Sequence, residues 1–231
     1  MFPNIKLGGK KYIVVFASGK NKTSSDDLHT NFKLNGDGEY LALTKLNTVN
    51  SIDGIKLNFP AQKDGFSFGL GSNGQWKFFA TPTPGKANGS GFEDFVADTK
   101  FDKDRGFYDT PFEVNISCDT PNAKIRYTLD GSKPTSNRGK IYRGPVPIST
   151  TTTLRAIAYK PGMRDSNVDT STYLFIKDII RQSNRPEGFP STWNGHAADY
   201  EMDQEIVNHQ SYKNKINSAL KSIPSLSLVL N

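Results

Sequence analysis

The stretch from Ile125 to Thr135, "IRYTLDGSKPT", gathers residue types that chemistry uses: a carboxylate at Asp130, hydroxyls at Ser132 and Thr135, and a cation at Lys133. Asp130 has two roles open to it. As a general acid or base in glycoside hydrolysis it needs a second carboxylate across the bond to be cut. No carboxylate stands at a convincing position for that. As a turn residue it needs only Gly131 behind it, since Asp and Gly adopt positive φ at low cost. Ser132 and Thr135 can then bond to local backbone, and Pro134 fixes φ. Asp130, Gly131 and Pro134 are read as a structural turn at a hairpin corner.

Other candidates were weighed the same way. "FDKDRGFYD" offers Asp102, Asp104 and Asp109. A calcium loop needs about six oxygen ligands in an Asp-x-Asp-x-Asp-Gly frame closed by a bidentate Glu. Here Gly106 takes the third ligand position and no closing Glu follows, so a linker or turn is expected. "NGDGE", 35–39, is shorter still. His29, His196 and His209 are not spaced for a zinc helix, and no HExxH or GxSxG motif occurs. His29, in "LHTNF", is expected to hold a strand edge through hydrogen bonds. The acids of "DYEMDQE", 199–205, suit the first turn of a helix, where the dipole favours negative charge. Without a GxxxxGK[ST] loop, nucleotide binding is not expected. The expected catalytic, cofactor and metal sets are therefore empty. Trp76, Trp193, Phe78, Phe79, Tyr142 and Tyr159 could stack on sugar rings. Filling cores is the commoner fate of such residues, and Trp76, Tyr142 and Tyr159 are kept as candidates for ligand stacking. In "WKFFA", alternation sets Trp76 and Phe78 against Phe79, so one is expected outside or at a rim.

The elements that would position these groups are strands. Gly (20) and Pro (13) are frequent, while 15 Phe and 9 Tyr supply cores. Tyr12–Ala17 is an apolar run of the buried-strand kind. "EYLALT", "KLNF", "GFSFG" and "WKFFA" follow, until "ATPTPGKANGSG" breaks the pattern. Strands resume at "PFEVNIS", then "KIRYTLD", "VPIS", "TLRAIAY" and "TYLFI". Their spacing of roughly 8–15 residues predicts a second antiparallel sandwich. Past Lys177 a Pro- and Gly-rich loop precedes two helical stretches. Asp203 and Ser211 are the expected N-caps, Ile216, Leu220 and Ile223 share a face, and Pro224 is a stop. "SLSLVLN" reads as a strand.

The net charge is +6. Lys and Arg exceed Asp and Glu by 12 to 9 over residues 1–100 and by 11 to 8 over 101–176, and the two balance at 6 each thereafter. The excess reads as diffuse, without the basic run of a nucleic-acid arm. One cysteine, Cys118, excludes an internal disulfide and reads as a buried, inert thiol. No apolar run approaches the ~18 residues of a membrane span, and the N-terminus lacks the layout of a signal peptide.

Three stretches carry family resemblances. Residues 1–88, through "YIVVFASGKN", "LHTNFKLNGDGEYLAL" and "ATPTPGKAN", resemble the later part of a bacterial lamin-tail domain. Residues 105–176, through "RGFYDTPFEVNIS", "AKIRYTLDGSKPT", "YRGPVPIS" and "TTTLRAIAYKPGMRDSNV", resemble the chitobiase/β-hexosaminidase C-terminal domain. That resemblance implies an immunoglobulin-like sandwich appended to secreted enzymes, outside their catalytic part. Residues 186–231, through "GFPSTWNGHAADYEMDQEIVN" and "IPSLSLVLN", resemble the lead-in to CotH-type, spore-coat-kinase-like proteins.

The expected fold is mainly β, with two immunoglobulin-like antiparallel sandwiches, the first truncated, and then a mostly helical and loop segment. The expected domains are 1–90, a linker at 91–104, 105–177, and 178–231 with two short helices and the first strand of a kinase-like domain. Both chain ends are expected to be cuts. The resemblances imply a secreted or cell-surface bacterial protein whose accessory modules position a downstream CotH-like domain. A carbohydrate or surface-polymer module, or part of an atypical protein kinase acting on secreted or coat proteins, are the alternatives. No nucleic acid and no membrane span are expected among its partners.

Overall fold

In a computed structural model the described residues are 5–24, 27–44 and 54–229. The chain is mainly β and divides into two compact units, Met1–Asp94 and Phe95–Asn231. Residues 1–4 of the lamin-tail-like stretch and 230–231 of "SLSLVLN" lie outside the described residues.

The first unit holds β1 (Val15–Phe16), β2 (Thr23–Ser24), β3 (Asp27–His29), β4 (Glu39–Thr44), β5 (Gly54–Phe59), β6 (Ser67–Leu70) and β7 (Trp76–Phe79). They form three small sheets: β1-β3-β2, β4-β5 and β6-β7. The apolar run at Tyr12–Ala17 is corrected here. Only Val15 and Phe16 are strand, and Tyr12, Ile13, Val14 and Phe16 are exposed. The reason is pairing. β1 has a parallel partner in β3 over two residue pairs, and an apolar run cannot be a buried strand without a longer one beside it. In "WKFFA" the aromatic left partly outside is Trp76, 37% exposed. Phe78 and Phe79 are both buried although they point to opposite faces. Phe92 covers one face by stacking on Phe78, its backbone bridged to Phe78 by two hydrogen bonds.

The second unit holds β8 (Thr99–Phe101), β9 (Gly106–Phe107), β10 (Phe112–Val114), β11 (Ile116–Cys118), β12 (Lys124–Thr128), β13 (Lys140–Ile141), β14 (Val146–Ile148), β15 (Thr152–Tyr159) and β16 (Asp169–Leu174). A five-stranded sheet, β13-β12-β15-β16-β9, supplies one wall. The pairs β10-β14 and β11-β8 supply the other. Alternation explains the core. Ile125 on β12 and Leu154, Ala156 and Ala158 on β15 point inward to meet Val114, Ile116, Val146 and Ile148. Tyr173 and Phe175 close one end, with Phe112 in edge-on contact with Tyr173 at 5.2 Å.

Two sequence expectations change in this unit. "PFEVNIS" is two strands, because the chain swaps partners at Asn115. β10 pairs with β14 and β11 with β8. The stretch 91–104, expected as a linker, contains β8. Val96 and Thr99 are buried, and the Thr99 hydroxyl donates to Asp169 at 2.6 Å. A short strand with one apolar side chain among acids carries little periodicity to be read.

Beyond β16 lie α1 (Ile176–Ile179), the small hairpin β17 (Thr192–Trp193) and β18 (His196–Ala197), α2 (Gln204–Asn208) and α3 (Ile216–Ser222). Asp203 caps α2, accepting from the N–H groups of Glu205 and Ile206. Ser211 caps nothing. The residues after His209 form turns, and α3 starts at Ile216 behind Lys215. Of the expected apolar face Ile216 is buried while Ile223 is exposed, because α3 ends at Ser222. No strand forms over residues 225–229, and Leu226 is 92% exposed. Among the described residues no helix is long and apolar enough to cross a membrane.

Candidate functional site

The richest constellation is the connection from β12 to β13, residues 129–139. Register makes it a loop of eleven residues. Arg126 faces Ile141 and Tyr127 faces Lys140, so Asp130-Gly131 is no two-residue hairpin apex. The Asp130 carboxylate instead folds back, accepting from the Ser132 N–H at 3.0 Å and the Ser132 hydroxyl at 2.6 Å. Those bonds from Ser132 stabilise the ionised form and hold the Asp130 carboxyl below the usual carboxylate range. Gly131 follows at φ +75°, and Pro134 is fully buried. A second turn, Thr135 to Arg138, exchanges backbone bonds in both directions. Gly139, at φ +103°, brings the chain back so close to Tyr127 that a Cβ would stand 2.8 Å from its carbonyl oxygen.

The sheet itself fastens this loop. Side chains on the outer face of β12 and β15 donate to its carbonyls. Arg126 reaches Ser136 O at 3.0 Å and Gly139 O at 2.8 Å. Thr128 reaches Ser132 O at 2.5 Å. Arg155, directly opposite Thr128 in the ladder, reaches Gly131 O at 3.1 Å. Arg155 and Ile157 are buried on this outer face as a result, while their neighbours Leu154, Ala156 and Ala158 fill the core.

Beside the loop lies a cleft of about 480 Å³, lined in part by Tyr127, Asp130, Ser132, Arg138 and Lys140. Here the reading of the charge as diffuse is corrected. Between Lys124 and Arg143 there are six Lys/Arg and one Asp, a net +5 within twenty residues, against +6 for the chain. Among the described residues no salt bridge involves Lys124, Lys133, Arg138, Lys140 or Arg143.

The three stacking candidates do not converge. Trp76 is in the first unit, 37% exposed and stacked on Phe68 at 6.0 Å. Its cleft of about 340 Å³ is apolar, with Phe32, Leu34, Leu41 and Leu43 among its walls. Tyr142 and Tyr159 share a sheet but occupy opposite faces. Tyr142 packs on the core, and its hydroxyl accepts from the Ile116 N–H at 3.1 Å. Tyr159 is half-buried on the outer face, with the Arg126 guanidinium 6.0 Å from its ring centre. One aromatic group outside that set is a local cluster. Trp193, 60% exposed, donates to the Tyr200 hydroxyl at 3.0 Å, and Phe189 meets the Tyr200 ring edge-on at 5.6 Å. No periodicity marks it, since it is built across a loop.

The carboxylates of "FDKDRGFYD" part company. Both Asp102 oxygens accept from Asn115, at 2.7 and 2.8 Å, pinning the point where the chain swaps sheets. Those bonds, the side-chain one foremost, hold the Asp102 carboxyl low. The Asp104 carbonyl accepts from the Tyr108 hydroxyl, and Asp109 pairs with Lys221 at 2.9 Å. Cys118 is half-buried rather than buried, its thiol 3.2 Å from the Ala97 carbonyl. His196 is exposed, and the His209 ring lies 4.7 Å from that of Tyr212.

His29 sits in a constellation that its sequence setting does not reveal. Its Nδ1 is 2.7 Å from the Ser18 hydroxyl and its Nε2 is 2.6 Å from Asp27. A carboxylate only accepts, so Nε2 carries a proton, and in the neutral ring Nδ1 then accepts from the Ser18 hydroxyl. This is the order of a nucleophile, base and acid with the ring nitrogens exchanged. A catalytic serine also needs N–H donors for the oxyanion. The Ser18 and Gly19 N–H groups are bonded to Phe16 O and Phe32 O, and that of Lys20 points at the Ser18 oxygen itself. Asp27 further shares its charge with Lys22 at 3.3 Å, the main cause of its lowered carboxyl, with His29 adding to it. With Phe16 stacked on the imidazole at 5.0 Å, the chain is a staple joining β1 to β3.

Residues 103–170 match the family model of the chitobiase/beta-hexosaminidase C-terminal domain. The matched segment runs from the loop before β9 to the second residue of β16. It takes in the whole 129–139 loop and its clamps, and leaves out β8, which the fold requires against β11. No curated protein matches the chain.

Proposed function

We propose that these residues are non-catalytic accessory modules of a larger secreted or cell-surface bacterial protein, and that they space a downstream CotH kinase-like domain. The observation that carries this reading is the fate of the chemistry-bearing groups. Asp130 is spent on Ser132, Asp102 on Asn115, and His29 on Ser18 and Asp27. Asp102 and His29 brace their folds, and Asp130 lines its cleft with no second carboxylate among the lining residues. The match of residues 103–170 supports an accessory module, since the named domain is the C-terminal one of its enzymes. The resemblance of residues 186–231 supports the downstream neighbour, and that of residues 1–88 supports a lamin-tail-like first module.

The test is an activity screen of the 231-residue chain. Hydrolysis of chromogenic glycosides or phosphotransfer from ATP, abolished by changing one of these residues, would overturn the reading. No turnover above that of the heat-denatured chain is the expected result.

A second reading, a module that binds a carbohydrate or surface polymer, is favoured by the net +5 segment around the 129–139 loop. Retention of the folded chain on an immobilised polysaccharide tests it.

A further inference from the structure

The cleft beside β13 combines three properties seldom found together on a turn. Its walls are fixed, since the outer-face donors Arg126, Thr128 and Arg155 hold four loop carbonyls. A fixed wall loses little freedom on binding. It has two exposed cations, Arg138 and Lys140, in no salt bridge among the described residues. It also has one carboxylate, Asp130, one oxygen of which accepts both bonds from Ser132. Its volume of about 480 Å³ lies within the roughly 300–1,000 Å³ usual for small-ligand sites. Lys133, on the same loop, and Arg143, just past β13 at the sheet edge, extend the positive charge beyond it.

The ligand follows from this mixture. Two exposed cations in no salt bridge among the described residues call for spaced negative charges. A carboxylate in the same cleft calls for hydroxyl donors. A duplex nucleic acid presents a charge about every 1.7 Å and no donors along its backbone, so Asp130 would oppose it. A chain of sugar rings bearing carboxylates offers both groups in alternation. We propose that this cleft binds acidic polysaccharide, with uronate carboxylates on Arg138 and Lys140 and ring hydroxyls on Asp130. The inference rests on the polymer-binding reading and names its site and ligand class.

Affinity electrophoresis of the full chain through gels containing polygalacturonate, a neutral β-glucan or duplex DNA tests it. The chain should be retarded by polygalacturonate, less so as salt rises. Arg138→Ala with Lys140→Ala should weaken that retention by about tenfold or more. Arg138→Lys with Lys140→Arg should restore most of it. Lys20→Ala with Lys86→Ala, which removes as much charge from the first unit, should leave it unchanged. Near-UV circular dichroism of each variant reports whether the fold is kept. If polygalacturonate retains both double-alanine variants like the parent, the cleft assignment is overturned while polymer binding stands. Equal loss in both variants, or tighter retention by DNA than by polygalacturonate at one salt concentration, overturns the glycan assignment. If only the β-glucan retains the chain, the acidic ligand class is wrong. If no polymer retains it, this inference and the reading beneath it fall together.

Discussion

The buried guanidinium of Arg155 donates to the carbonyl oxygen of Gly131, 24 residues earlier in the chain, at 3.1 Å. A strand on which apolar residues would be expected on both faces therefore keeps a charge inside in order to hold a turn. Removing a donor from a buried pair leaves the acceptor unsatisfied. Arg155→Ala should destabilise the second unit by about 2–4 kcal/mol, combining lost packing and lost hydrogen bonding. Chemical denaturation measures this. Hydrogen exchange at Ser132 should accelerate more than exchange at Ala156, and equal acceleration would mean the clamp does not act on the loop.

Asp130 contributes chiefly through the two bonds it accepts from Ser132. Asp130→Ala should cost about 1 kcal/mol, by analogy with loss of a capping side chain, and Asp130→Asn less, because the amide oxygen still accepts. The Asp130 carboxyl is held low in the folded chain, so its contribution is present above the unfolded carboxylate range. It is lost as pH falls through the folded value. Asp130→Asn should flatten that part of the stability-versus-pH curve between neutral and acid.

Tyr173 gives the opposite sign. Burial pushes its phenol up to about 12 from 10, and its hydroxyl donates to Lys103 O at 3.1 Å. The unfolded chain gives up this proton first. The stabilisation is therefore complete below the unfolded value near 10 and disappears as pH rises towards 12. The loss amounts to about 3 kcal/mol at most. Ultraviolet difference titration should show one tyrosine ionising late in the folded chain, and Tyr173→Phe should abolish that step.

Calcium at millimolar concentration should leave the melting temperature unchanged, because the Asp102 and Asp109 carboxylates are held by different partners, Asn115 and Lys221. Asp102→Asn should instead lower it, since one of the two oxygens bonded to Asn115 becomes a donor. A calcium-dependent rise that Asp102→Asn removes would restore the metal reading.

The first unit exposes Phe32, Leu34, Leu43 and Trp76 around one apolar cleft. Residues 1–90 expressed alone should bind a hydrophobic dye and melt without a sharp transition, since open strand edges and uncovered apolar surface do not support a stable core. A cooperative melt would refute this.

Much of the second unit was legible from local order. Alternation in "KIRYTLD" and "TLRAIAY" grouped Ile125 with Tyr127 and Leu129, and Leu154 with Ala156 and Ala158, on shared faces, and the fold turned those faces to the core. Asp203 was legible as a cap because capping is set by a few neighbouring residues. Tyr12–Ala17 misled because burial is a property of what covers a strand, and a strand does not encode its cover. "PFEVNIS" misled because its alternation continues unbroken through Asn115, although its hydrogen-bonding partner changes there.

By itself the sequence determined the β-rich class, which residues share a face on the strands of the second sheet, and the identity of Asp130-Gly131 as a reversal. These depend on period-two patterning and on the backbone preferences of single residues, which act over a few positions. The tertiary structure alone decided that the reversal opens an eleven-residue loop clamped by Arg126, Thr128 and Arg155. It alone put Arg138, Lys140 and Asp130 around one cleft, and drew Ser18, His29 and Asp27 into one hydrogen-bonded line. Strand register and loop return set those distances, and both are fixed by contacts between residues far apart in the chain.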